Sequence, residues 1–214
     1  MRTLVIETAT AACSVALLED GAVIAALHEV VGRGHAERLL PMIAELPGGG
    51  RAAHILVDCG PGSFTGVRVG IAAARGLALG WRAQATGYSS LALIAAAAFA
   101  AGPSPNPSLP SLAVVIEGGH GEVFMQAFDA PLAPTSALAS LRPEVALAAL
   151  RGRPAIGNGV RLLRAIDPEV ASIEALPRAA DAVLLPAAFT VLPPRPIYGR
   201  APDAKVPGTG SIGA

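Results

Sequence analysis

The sequence predicts a two-lobed α/β protein made of two β-β-β-α-β-α units, the second one reduced. Three observations carry this prediction. Short apolar strands alternate with helix-length segments along most of the chain. The run Leu112-Ala113-Val114-Val115-Ile116-Glu117, a small-residue turn and a returning strand at Glu122 to Phe128 repeat Leu4-Val5-Ile6-Glu7, its turn, and Cys13 to Leu18. Ala155-Ile156-Gly157-Asn158-Gly159-Val160 is then a shortened copy of the strand, glycine turn and helix at residues 55–67. In this reading residues 1–102 are the first lobe and 103–111 a proline-rich linker. Residues 112–192 are the second lobe and 193–214 a proline-rich tail.

Leu4-Val5-Ile6 is a strand, and tight turns return the chain through Cys13 to Leu18 and Ala22 to His28, so these strands run antiparallel. From His35 to Leu46, apolar residues fall at helical spacing, with Pro41 inside the helix and a kink expected there. A buried-length strand, Ile55 to Cys59, leads into Gly60-Pro61-Gly62-Ser63-Phe64-Thr65-Gly66-Val67-Arg68. A helix follows from Val67 to Trp81, with Ser63 or Thr65 placed to cap it. A strand near Ala83 to Thr86 and a helix from Ser89 or Ser90 to Ala101 close the first lobe. Helices are expected at Pro143 to Leu150, Val160 to Ile166 and Ala180 to Phe189. From Pro193 onward repeated prolines predict a tail that is draped or partly disordered, dispensable to the fold and the least ordered part of the chain.

With 52% hydrophobic and 15% charged residues, the chain is a folded globular protein rather than a disordered one. No uninterrupted apolar run is long enough to span a membrane, and Met1-Arg2 leads directly into a strand, without a signal-peptide core. Two cysteines and no export signal point to reduced thiols and a cytoplasmic location. Zero net charge argues against a protein that grips nucleic acid on its own.

The loop at residues 60–68 has two readings. A glycine-rich turn feeding a helix N-terminus can hold phosphate, and Gly60, Gly62 and Ser63, with Glu7 opposite, are the candidate residues. It can equally be a tight structural turn. It lacks the Lys-Ser/Thr ending of a Walker loop and the glycine spacing of a dinucleotide fingerprint.

Two lobes with a carboxylate in the first turn of each resemble the actin-like ATPase (RNase H-like) class, shared by sugar kinases and chaperone ATPases. Five segments permit a closer match: Ile6 to Leu17, His35-Ala36-Glu37-Arg38-Leu39-Leu40-Pro41, Gly60 to Arg68, Arg75 to Gly80, and Gly121-Glu122-Val123-Phe124. In order and spacing they resemble the TsaB (YeaZ) family of subunits in tRNA threonylcarbamoyladenosine synthesis. The resemblance implies a non-catalytic protein that dimerises with and activates TsaD, with TsaE as a further partner. It implies a homodimer in isolation, contact with tRNA only through the complex, and no cofactor beyond a nucleotide at a subunit junction. In TsaD the metal is held by two histidines one helical turn apart; here His35 remains but Leu39 occupies the second position, so no metal is expected.

In the family the helices at 35–46 and 66–80 form the partner contact. His35, Leu39, Leu40, Ile43 and Leu46, with Gly66, Val69, Gly70, Ala73 and Leu77, are the residues this assigns to the interface. Gly70 and Ala73, one turn apart, are expected to admit a partner helix closely. Glu7 stands where the family usually has Asp, and Glu117-Gly118-Gly119-His120 replaces an acid-alanine-arginine start. Either glutamate can instead cap its own turn. Two rival functions stand beside this one: a phosphotransferase or ATPase using Glu7, Gly62 and Gly157-Asn158-Gly159, and a glycopeptidase-like peptidase with Ser63, Cys13 or Cys59 as nucleophile.

Overall fold

The structure, a computed structural model, describes residues 1–101 and 110–199. Most of the expected linker and the end of the tail therefore lie outside the described residues.

The first sheet begins with β1 (Arg2–Glu7), β2 (Ala12–Glu19) and β3 (Ala22–Val30), antiparallel because their turns are short. Helix α1 (His35–Glu45) carries the chain to β4 (His54–Asp58), and α2 (Phe64–Trp81) carries it to β5 (Gln84–Tyr88). Both strands are parallel to their neighbours, giving the order β3-β2-β1-β4-β5. Helix α3 (Ser90–Ala100) follows. The second sheet contains β6 (Ser111–Gly119), β7 (Glu122–Asp129), β8 (Ala133–Pro134) and β9 (Ala139–Leu141). After α4 (Pro143–Leu150) come β10 (Ala155–Ile156), α5 (Val160–Arg164) and β11 (Ser172–Ile173). The order is β11-β10-β6-β7-β8, with β9 also paired to β7.

The strand alternation decides the layers. Leu4 and Ile6 of β1 join the cluster under α1 and α2, whereas Val5 faces α3. In β6, Leu112, Val114 and Ile116 meet α3, and Ala113 and Val115 turn toward α4 and α5. Helix α3 thus lies between the sheets and is apolar on every side. Each fully buried Leu or Ile in these clusters stabilises the fold by about 1.5–3 kcal/mol.

Several expectations need correction. Residues 180–189 form two short 3-10 turns, Ala179–Leu184 and Ala187–Phe189, because Pro186 between them has no N–H to continue a helix. Helix α1 runs unbroken through the exposed Pro41, and α2 starts three residues before Val67. The cap of α2 is Ser63, whose Oγ accepts the Gly66 N–H at 3.2 Å. The first part of the tail is not loose. Leu192 and Gly87 exchange two backbone hydrogen bonds, and the Ile197 N–H donates to the Cys59 carbonyl at 2.8 Å. Arg75 holds the Pro194 carbonyl and Arg68 the Tyr198 hydroxyl, so residues 192–199 form a strap along β5 and α2.

Candidate functional site

The loop after β4 folds back onto the first turn of the lobe. The Ser63 N–H donates to the Ala9 carbonyl at 2.6 Å, and the Gly60 N–H to Asp58 Oδ1 at 2.6 Å. A Cβ on Gly62 would lie 2.1 Å from the Ala9 carbonyl oxygen, and one on Gly66 2.1 Å from that of Thr8. One on Gly70 would lie 2.4 Å from Thr8 Oγ1. These glycines exist to let the loop and α2 touch Thr8 and Ala9. The amides of Gly60, Ser63 and Gly66 are used inside the protein, which favours the structural turn over a phosphate cradle. The second lobe repeats the device: the Gly159 N–H donates to the Val115 carbonyl at 3.0 Å, and a Cβ on Gly157 would lie 2.2 Å from that oxygen.

Glu7 is fully buried, which removes it from any open metal or nucleotide site. Its Oε1 accepts the Ala9 N–H at 2.8 Å, so it caps its own turn, and Oε2 accepts the Tyr88 hydroxyl at 3.1 Å. It is also hydrogen-bonded to the equally buried Asp58. Asp58 accepts from Gly60 N–H and from the Ser90 hydroxyl at 2.6 Å. Burial, then the neighbouring Asp58 charge, pushes Glu7 well above the usual carboxylate range. Burial also raises Asp58, while hydrogen bonds from Glu7, Ser90 and the Gly60 amide pull it back. The buried pair therefore holds on to a proton, and Glu7 is the carboxyl pushed up the harder. Sequence reasoning missed Asp58, Tyr88 and Ser90, although Asp58 is a carboxylate directly after the apolar run Ile55-Leu56-Val57 of a strand parallel to β1.

The other chemical candidates are also committed internally. His35 Nε2 bonds the Ala12 carbonyl at 3.0 Å, pinning the start of α1 to β2, and Leu39 is buried beside it. Among the described residues no group of three or more His, Cys, Asp or Glu could hold a metal. Cys13 and Cys59 are buried and their thiols pushed up to about 11, first by burial, which disfavours the nucleophilic thiolate. Ser63 serves as the α2 cap.

The interface residues divide differently from expectation. His35, Leu39, Ile43, Leu46, Gly66 and Gly70 are buried in their own lobe, and Val69, Ala73 and Leu77 are half-buried. Of the ten, Leu40 alone is exposed, at 53%. Gly70 packs on Thr8, not on a partner. The open face is instead Ala36, Leu40 and Ala44 on α1 with Ala72, Gly76, Leu79 and Gly80 on α2. Nothing lies within 4 Å of a Cβ built on Gly76 or Gly80. The stripe expected on α2 lies on the side that packs against the lobe's own sheet.

A family model described as TsaD, tRNA N6-adenosine threonylcarbamoyltransferase, matches residues 26–130. The Escherichia coli K12 "tRNA threonylcarbamoyladenosine biosynthesis protein TsaB" is 44% identical over 104 residues, 46% of this chain and 45% of that protein. Its Haemophilus influenzae counterpart is 44% identical over 101 residues, 45% of this chain and 42% of the relative. The match thus spans less than half the length of these curated relatives. Among solved structures, "YeaZ from Pseudomonas aeruginosa" superposes with a TM-score of 0.75 at 29% identity, covering 92% of this chain and 99% of that one. Among the described residues, no helix is long and apolar enough to cross a membrane.

Proposed function

We propose that this chain, which belongs to the TsaB/YeaZ family, is a non-catalytic subunit that pairs with a TsaD-type protein and activates it in forming threonylcarbamoyladenosine on tRNA. The supporting observation is the open apolar face of α1 and α2, where Gly76 and Gly80 leave room for a partner helix. Non-catalysis is supported by the sealed position of Glu7, the internal use of the loop amides and the leucine at the second metal-ligand position. In this reading the isolated chain self-associates through the same face, TsaE is a further partner, no cofactor is held by this chain alone, and the setting is the cytoplasm.

Co-expression with the TsaD of the same cell, followed by size-exclusion chromatography, tests the pairing. Gly76→Leu fills the open space without touching the lobe's own core, so monomer melting should hold while association weakens. A typical overpacking cost is about 1–3 kcal/mol, or roughly five- to hundred-fold in affinity. Unchanged association in that variant, or no complex with the wild-type chain, would remove the reading. ATP turnover by the pure chain that is lost in Glu7→Ala would instead support the phosphotransferase rival.

A further inference from the structure

Between Asp58 and Glu117 the only charged residues are Arg68, Arg75 and Arg82, seven residues apart. All three belong to α2 or its C-cap. Seven residues are nearly two turns, so they form one row with about 10 Å between members. Phe64 and Leu79 extend that row, exposed at 68% and 84%. Helical spacing puts the row on the flank next to the pairing face, a quarter turn or more round the helix from Gly76 and Gly80, with Leu79 on the edge the two share. Among the described residues, none of the three arginines pairs with a carboxylate.

Aromatic rings stand at the end of the row. The Arg68 guanidinium lies 3.1 Å from the Phe64 ring centroid and 5.8 Å from that of Tyr198, which is 62% exposed. The strap places Tyr198 there and also brings Arg195, with no acid between Ala182 and Gly199. Zero net charge thus hides a local asymmetry: residues 59–116 and 183–199 carry arginines and no acid.

We infer that this flank binds single-stranded nucleic acid, the arginines meeting phosphates and Phe64 and Tyr198 stacking on bases. Charge complementarity selects a polyanion, and exposed rings beside a guanidinium select one with flat, accessible faces. A lipid surface would use the cations but has no bases for the rings. This is a direct contact, which the family resemblance does not imply, and it stands apart from the helix-pairing reading.

The test is fluorescence anisotropy of the full chain with a labelled polyuridine RNA across a salt series. Three phosphate contacts predict a log–log salt slope of about −2. The triple variant Arg68→Gln, Arg75→Gln, Arg82→Gln should lose at least about tenfold in affinity and flatten the slope. Phe64→Ala should lose about tenfold with the slope kept. Because Arg68 and Arg75 hold the strap, Arg82→Gln alone is the second variant, and it should lower the slope by about 0.7. Gly76→Leu should leave RNA binding intact, so loss of TsaD pairing with RNA binding retained separates the two readings. No binding at low salt by folded protein, or unchanged affinity in the arginine variants, would overturn the inference. So would equal binding to phosphatidylserine vesicles with no effect of Phe64→Ala, which would assign the flank to membranes.

Discussion

Glu7→Gln isolates the buried acid pair. In the wild type Glu7 keeps its proton because burial and the Asp58 charge oppose ionisation. The unfolded chain has no such opposition and releases that proton in the ordinary glutamate range. The pair's contribution to stability is therefore complete below that range and is lost as pH climbs toward the raised value. While it is being lost, stability falls by about 1.4 kcal/mol per pH unit for the one proton involved. A glutamine can keep every contact. Its oxygen accepts the Ala9 N–H, and its amide donates to Asp58 and to the Tyr88 oxygen. The Tyr88 hydroxyl proton then turns from residue 7 to the Ile6 carbonyl, 3.2 Å away. Denaturant unfolding of both proteins from mildly acidic to mildly alkaline pH should give matching stabilities at the acid end and a growing advantage for Glu7→Gln as pH rises. Taking the difference cancels the contributions of His28 and His54. Parallel curves, or a wild type that gains on the variant with pH, would refute the shared-proton account. Glu7→Ala differs in kind: it orphans the Ala9 amide and costs about 1–3 kcal/mol at every pH.

Gly70→Leu should lower the melting temperature of the monomer, because the new side chain meets Thr8 and Ile6; an overpacking cost of about 1–3 kcal/mol is expected. A melt under dilute conditions checks this. Thermal melts of a chain ending at Val191 should fall by several degrees or more, since the strap's bonds to Gly87, Cys59 and Arg75 go with it, each worth about 1 kcal/mol. Cys13 and Cys59 should resist a disulfide reagent in the native protein and react only on unfolding, as absorbance would report.

The antiparallel pairing of the first three strands was legible because tight turns force it. The internal repeat was legible because Leu112 to Glu117 and Leu4 to Glu7 share an apolar run ending in an acid. The face of α2 was not, since glycine and alanine occupy nearly its whole circumference and spacing alone leaves its rotation open. What fixes it is the carbonyl of Thr8, which stands 58 residues from Gly66 in sequence and close to it in space. Glu7 was singled out without the company that determines its chemistry, because Asp58, Tyr88 and Ser90 reach it through sheet pairing and helix placement. The strap escaped for a similar reason. Prolines deny it regular structure, yet hydrogen bonds to Gly87 and Cys59 and packing of Ile197 hold it in place.

Helix α3 has a consequence for motion. Leu91, Leu93 and Ile94 are wholly or almost wholly hidden, and the cluster they join draws residues from both sheets. Swinging the two halves apart would bring that cluster into water, at about 25 cal/mol for each Å² exposed. Two-lobed enzymes that close on a substrate need a hinge whose opening is cheap. Here the helix behaves as a shared rivet, so the halves should melt in one transition and present partners with a rigid body.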